Sequence, residues 1–514
     1  MVHLFEWKYS DVADECERFL SQYGYTAVQV SPPSEHIKLY KNNDIPWWIR
    51  YQPVSYKICS RGGDENTFKD MVTRCNNVGI KVIADVVTNH MAGQGQSGNG
   101  WCGSGFSCQD HGESFPAVPY GANDFNDPIC DHDIDNYNDA WNVRKCRLSG
   151  LADINQDNDY PRGKIADYLN ALASLGVGGF RVDAAKHQYP SHLADILNRV
   201  SLNSKFHSTN AKPLIALEVI DMKTGEAVHA DDYLYIGRVV NFIYGQDVSA
   251  AVRRTNNFKY FANFGQAWNM WPSDNVVVSI DNHDNQRGHG GNSPLTYKDS
   301  YSYTMAVTYM LSWPYGLPRV MSSYYFTDSD HGPPADSNGM AKSPYFRSDG
   351  TCDPNSGWVC EHRWPEIRRM TVFRRVTADQ DAYDIVTDDN RIAYRRGNKG
   401  FFAVNNNGGA TWSATFSTGL PAGTYCDIIS GEPTQNGCSG TSVTVGSDGK
   451  SQISINPGKT FALHVEAKSG QPGSTHTAPT VTTPTPGVRQ KTVVYLKATT
   501  QPGQNVFIRG GASK

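Results

Sequence analysis

Gly179-Phe180-Arg181-Val182-Asp183-Ala184-Ala185-Lys186-His187 is the stretch on which the fold turns. It opens in an apolar, β-favouring run and closes in charged residues, as a buried strand does when its last residues emerge at a working face. Side chains alternate along a strand, so Arg181 and Asp183 project to the same side. An arginine and an aspartate leaving an apolar strand together are costly unless something balances them. By itself the stretch fits a structural ion pair as well as a site.

Two further stretches share this build. Leu214-Ile215-Ala216-Leu217-Glu218-Val219 carries one carboxylate near its end, and Val276-Val277-Val278-Ser279-Ile280-Asp281-Asn282-His283-Asp284-Asn285 ends in a polar cluster. Three strands that each deliver a carboxylate at a C-terminal end match the functional face of a parallel barrel. Asp183, Glu218 and Asp284 are therefore the candidate catalytic set.

The flanking sequence alternates in the same sense. Val2 to Phe5, Tyr25 to Val30 and Ile80 to Val87 read as strands, separated by a helix from Ser10 and another from Glu65 to Asn77. Later come a helix from Lys164 to Leu175 and one carrying Leu193, Ile196, Leu197 and Val200. Strands follow at Val239–Phe242, Val276–Ile280 and Pro318–Met321. Eight strands alternating with helices predict an α/β chain, a (β/α)8 TIM barrel over residues 1–90 and 151–380. Residues 91–150 are rich in Gly, Ser, Asp and Asn with little period, which predicts a loop-rich domain inserted after strand three. Short alternating runs between Gly- and Asn-rich turns predict an all-β sandwich over 381–467. A Thr/Pro-rich linker is expected at 468–487. Residues 488–514 have strand character but are too short to fold alone.

Composition narrows the function. The net charge is −4 and charged residues are 19% of 514, which gives no electrostatic case for nucleic acid or an anionic membrane. No apolar run is long enough to span a bilayer. Aromatics reach 11%; those in polar loops suit sugar rings, whose apolar faces stack on aromatic ones. Eleven cysteines point to an oxidising compartment. The chain is thus expected to be secreted, its signal peptide already removed before Met1.

These residues are similar to the α-amylase family of glycoside hydrolases, in particular its animal-type, chloride-dependent branch. The resemblance rests on Asp85-Val86-Val87-Thr88-Asn89-His90, on Gly179 to His187, on Glu218-Val219-Ile220-Asp221 and on Ile280 to Asp284, in that order, and extends from Val2 to Val465. It implies an endo-acting enzyme that hydrolyses α-1,4 bonds of starch, glycogen and malto-oligosaccharides with retention, as a secreted monomer. Asp183 would be the nucleophile, Glu218 the general acid/base and Asp284 the residue holding the distorted sugar. Trp47, Trp48, Tyr51, Gln52, His90, Tyr137, Lys186, His187, His283 and His289 would line the sugar subsites.

The resemblance also implies two ions. Calcium would be held by Asn89, Asp153 and the carbonyls of Arg144 and His187, oxygen donors that suit a hard cation. Chloride would be held by Arg181, Asn282 and Arg319. Without it, both arginines are expected to pair with Glu218 and hold it ionised, which would spoil it as an acid. The implied disulfides are Cys16–Cys75, Cys59–Cys102, Cys130–Cys146, Cys352–Cys360 and Cys426–Cys438, with Cys108 free. The glycine-rich loop from Gly288 to Asn292 is shorter than in vertebrate relatives, and the tail from Val488 resembles the start of a starch-binding module. Two other readings share many of these residues: a transglycosylase of the same family, and a sugar-binding relative without activity, which intact Asp183, Glu218 and Asp284 argue against.

Overall fold

The structure, a computed structural model, describes residues 1–471 apart from positions 43, 110, 291 and 292. Most of the linker and all of the tail beyond it lie outside the described residues, as do two residues of the glycine-rich loop.

Eight parallel strand positions close into a barrel. They are β1 (Val2–Leu4), β2 (Ala27–Val30), β3 (Lys81–Val87), β4 (Gly179–Asp183), β5 (Leu214–Leu217), β6 (Arg238–Asn241), β7 (Val276–Val278) and β8. The last is in two pieces: Leu317–Pro318 pairs with β7, and Val320–Ser322 pairs with β1. The expected single strand from Pro318 to Met321 is therefore broken at Arg319. The strands are almost wholly buried, because helices cover the outside and side chains fill the inside. Met1, Ala27, Ile83, Ala216, Val240 and Val277 form one apolar cluster. The polar residues gather at the opposite, C-terminal ends.

The covering helices follow from local chemistry. The helix Glu65–Asn77 starts where the Asp64 carboxylate accepts a bond of 2.9 Å from the Thr67 N–H, and it buries Phe68, Met71, Val72 and Cys75. The helix expected from Lys164 begins earlier, at Asp159, and ends at Ser174. Pro161 does not prevent this, since a first-turn proline lacks only an N–H that would have no partner anyway.

The insertion is more regular than its composition predicts. Gln96–Asn99, Gly105–Cys108, Ser114–Phe115 and Tyr120–Gly121 make a four-stranded sheet, and His90–Gly93 pairs with Leu151–Asp153. Glycine and serine at alternate positions hid the strand period. Burial of Phe106, Phe115, Tyr120 and Phe125 supplies the small core. After the barrel, Ala382–Asp388, Arg391–Arg396, Gly400–Asn405 and Lys459–His464 form one antiparallel sheet of an all-β domain. Its core includes Phe401, Phe416, Ile453 and Phe461. Tyr394 joins it to the barrel, with its hydroxyl 2.6 Å from that of Ser312. The disulfides are Cys16–Cys75, Cys59–Cys102, Cys130–Cys146, Cys352–Cys360 and Cys426–Cys438, and Cys108 is free and buried. No helix of the described residues is long and apolar enough to cross a membrane.

Candidate active site

Arg181 and Asp183 do share a face, but the pair is not private. One terminal nitrogen of Arg181 donates to Asp183 Oδ1 at 2.7 Å and to Asp85 Oδ1 at 2.8 Å. The other lies 2.5 Å from Glu218 Oε1. Glu218 directly follows β5, and its second oxygen accepts the Ala184 N–H at 3.0 Å. Ala184 takes a left-handed conformation, with φ of 48°, as β4 turns away. Asp284 lies beyond β7, its Oδ2 3.2 Å from His283 Nε2.

Burial dominates the electrostatics. It drives the Asp183 carboxyl well above the ordinary range, against the pull of the Arg181 charge. Asp284 is pushed up to about 7 by burial and then by the charge of Glu218. Burial also works against the charge on Arg181, but Asp85, Glu218 and Asp183 outweigh it and keep the guanidinium protonated.

Asp183, Glu218 and Asp284 line a cleft of about 880 Å³, with Asp85 buried behind them. Trp47, Trp48, Tyr51, His90, Tyr137, Lys186, His187, His283 and His289 all line it. Trp48 donates from its indole N–H to Asp330 Oδ1 at 3.1 Å, and Tyr51 stacks on His283 with ring centres 5.2 Å apart. Lys186 pairs with Glu226 and lies over the Tyr137 ring at 5.2 Å. His90 and His187 are buried, which lowers each to about 4 and keeps both rings neutral. Gln52 is the exception. Its amide oxygen accepts from Gly93 N at 3.1 Å and Gln96 Nε2 at 2.8 Å, so it fastens the insertion instead of facing the cleft.

The expected calcium residues suit a hard cation. Asn89 Oδ1 is buried without a hydrogen-bond partner, as are Asn126 Oδ1 and Asp127 Oδ1. Asp153 is fully buried, which drives its carboxyl well above the ordinary range, and it accepts from Asn126 Nδ2 at 2.6 Å. His187 Nδ1 donates to Val143 O at 3.0 Å, which draws the turn Ala185–His187 against the helix Ala140–Lys145 that carries Arg144. Buried oxygens without donors are what an oxygen-seeking ion would satisfy.

The expected anion residues behave unequally. Arg181 is neutralised by carboxylates, as described. Arg319 is 4% exposed and donates to Gln29 Oε1 at 3.1 Å. Among the described residues no carboxylate pairs with it, so the expectation that both arginines grip Glu218 holds for Arg181 alone. Burial, then the like charge of Arg181, lowers Arg319 to about 10. A buried, unmatched cation fits an anion. Asn282 Oδ1 accepts from Asp284 N at 3.0 Å and Asn285 N at 2.7 Å, so its side chain is fixed by the turn that carries Asp284.

Several residues went unassigned in the sequence. Asp85 is the foremost: it opposes Arg181 in register and accepts from Tyr51 Oη at 2.8 Å. Its place in a strand parallel to β4 was the available signal. Glu226 and Asp330 stand in loops, and nothing in their local sequence singles them out.

Comparison with known proteins gives the family. The profile described as "Alpha amylase, catalytic domain" matches residues 18–289, and "Alpha amylase, C-terminal all-beta domain" matches residues 385–466. Pancreatic alpha-amylase 2a5 of Mus musculus is 47% identical over 91% of this chain and 94% of its own. Pancreatic alpha-amylase of Homo sapiens is 46% identical over the same shares. The crystal structure of alpha-amylase I from Eisenia fetida superposes with a TM-score of 0.84 at 39% identity, covering 90% of this chain and 96% of that one. Relatives of that identity and coverage, on the same barrel, show that the chain belongs to the α-amylase family of glycoside hydrolases.

Proposed function

We infer that this chain is a secreted, endo-acting α-amylase that cleaves internal α-1,4 bonds of starch and glycogen with retention. One observation carries the reading: a single guanidinium, Arg181, holds Asp183 on one nitrogen and Glu218 on the other at the floor of an aromatic-walled cleft. Two carboxyls bridged by one guanidinium suit the short separation, about 5 Å, that a retaining pair needs.

The chemistry then divides among the residues. Glu218 protonates the departing oxygen while Asp183 attacks the anomeric carbon, forming a glycosyl-enzyme. Water, deprotonated by Glu218, releases the sugar with its configuration kept. Arg181 offsets the burial cost of the Asp183 charge. Asp284, raised to about 7, can donate to or accept from sugar hydroxyls that distort toward the transition state. Trp47, Trp48 and Tyr51 offer faces for sugar stacking.

Asn89, Asp153 and the carbonyls of Arg144 and His187 would hold calcium, which supplies a structural tie between insertion and barrel. Arg181, Asn282 and Arg319 would hold chloride, which supplies a negative charge that balances Arg319 and favours the acid form of Glu218. Five disulfides support the extracellular assignment.

The test is the anomer first released from a long malto-oligosaccharide, followed by NMR, alongside the viscosity of a starch solution. The α-anomer with an early viscosity drop is expected. First release of the β-anomer would remove the retaining assignment, and a slow, proportional viscosity loss the endo assignment.

A further inference from the structure

Next to the loop that carries Asp330, the surface holds two adjoining cavities. One, of about 490 Å³, is lined by Tyr40, Tyr325 and His331 among others, and the second, of about 360 Å³, by Tyr297, Tyr325 and His331. Tyr325 and His331 belong to both. Tyr40 is 57% exposed and Tyr325 is 47% exposed, so each presents much of its ring to solvent.

The platform is built and held. Tyr325 is fixed by its backbone N–H, which donates to Gly357 O at 2.9 Å, and by edge contact with Tyr297 at 5.6 Å. The loop is pinned where Tyr324 Oη donates to His331 O at 2.7 Å. An aromatic ring held rigid and exposed next to a depression loses little entropy on binding a flat apolar face.

Continuity with the cleft supplies the occupant. Asp330 lines the cleft and accepts from Trp48, while the next residue, His331, lines both outer cavities. Lys41 pairs with Asp330, and its neighbour Tyr40 lines the larger outer cavity. The wall of the cleft at Asp330 and the wall of the outer groove at His331 are thus consecutive in the chain, and the Lys41–Asp330 pair sets Tyr40 beside them.

We propose that Tyr40, Tyr325 and His331 form a remote holding site for the continuing strand of an α-1,4-glucan, used by long substrates and out of reach of short ones. The two tyrosines stack on glucose rings, and His331 hydrogen-bonds to their hydroxyls. This rests on the reading of the cleft as a glucan-cleaving site.

The experiment compares kcat/KM on amylose with kcat/KM on maltotetraose for wild type, Tyr325→Ala, Tyr40→Ala and Tyr325→Phe. Loss of one stacking ring should lower the amylose-to-maltotetraose ratio about fivefold in each alanine variant, through KM on amylose. Tyr325→Phe keeps the ring and should keep the ratio. A ratio unchanged in both alanine variants overturns the site, as does a loss in Tyr325→Phe equal to that in Tyr325→Ala. Wild-type protein that cleaves neither glucan would instead sink the cleft reading on which the site rests.

Discussion

Arg181 and Asp85 stand directly opposite each other on neighbouring strands, and the guanidinium reaches Asp85 at 2.8 Å. Asp85 is itself held by the Tyr51 hydroxyl at 2.8 Å. The arginine that positions Asp183 and Glu218 is therefore anchored from its own side of the barrel by a third carboxylate. Removing one partner of such a buried network leaves the others unpaired, which costs more than the pair contributes.

Asp183→Asn keeps an oxygen that can accept from Arg181, so the network and the fold should survive. The amide cannot form the glycosyl-enzyme, and kcat should fall at least about 1,000-fold. The check is starch hydrolysis by protein whose circular dichroism and melting match wild type. Substantial activity in such protein would remove Asp183 as nucleophile.

Arg319→Gln removes the buried cation that no carboxylate balances. In the wild type, added chloride should raise activity near neutral pH and extend the basic limb of the pH–rate profile upward, because a nearby anion favours the acid form of the proton donor. The variant should lose most of that response. Wild-type profiles that superimpose with and without chloride would end the anion assignment.

Calcium should stabilise the fold by mass action, because its donors come from barrel and insertion together. At about a hundredfold excess over Kd the effect is roughly 2.7 kcal/mol. Excess chelator should lower the melting temperature, and Asp153→Ala should blunt that response. A melting temperature indifferent to chelator would count against the site.

Cys108 is buried, and burial pushes its thiol up to about 12. It should therefore resist alkylation in native protein, where almost no thiolate exists near neutral pH. In denatured, unreduced protein it should be the single labelled cysteine, as peptide mapping would show. A second labelled position would contradict the disulfide pattern.

Glu361 is fully buried, which raises its carboxyl from 4.5 to about 7, while Ser323 donates to it from its N–H at 2.7 Å. Between those values the folded chain binds a proton that the unfolded chain has lost. Its contribution to stability is thus fully present below about 4.5 and falls as pH rises toward 7, by an amount on the order of 3 kcal/mol. Glu361→Gln should flatten the urea midpoint against pH across that window. Parallel curves for variant and wild type would show that the group does not titrate there.

Much of this was legible in the chain itself, for identifiable reasons. The strand before Glu218 is apolar on both faces, so the carboxylate at its end stands out. The face shared by Arg181 and Asp183 follows from strand period alone. What could not be read depends on neighbours distant in sequence. Asp85 meets Arg181 only through the register of two strands almost a hundred residues apart. The resemblance places Gln52 among the sugar contacts, yet its side chain turns to Gly93 and Gln96. The unequal roles of Arg181 and Arg319 likewise come from which side chains face each, a property of the closed barrel.

The break in β8 at Arg319 bears on the order of events during synthesis. The backbone N–H of Arg319 donates to Val278 O at 2.8 Å, and the next three residues pair with β1. A nascent chain carries Asp183, Glu218 and Asp284 out of the ribosome well before the residue that closes the ring. The same residue brings the second buried positive charge beneath the carboxylates. Sealing the barrel and bringing in the unpaired charge of Arg319 are a single late step, so a growing polypeptide has no finished cleft until its seam has formed.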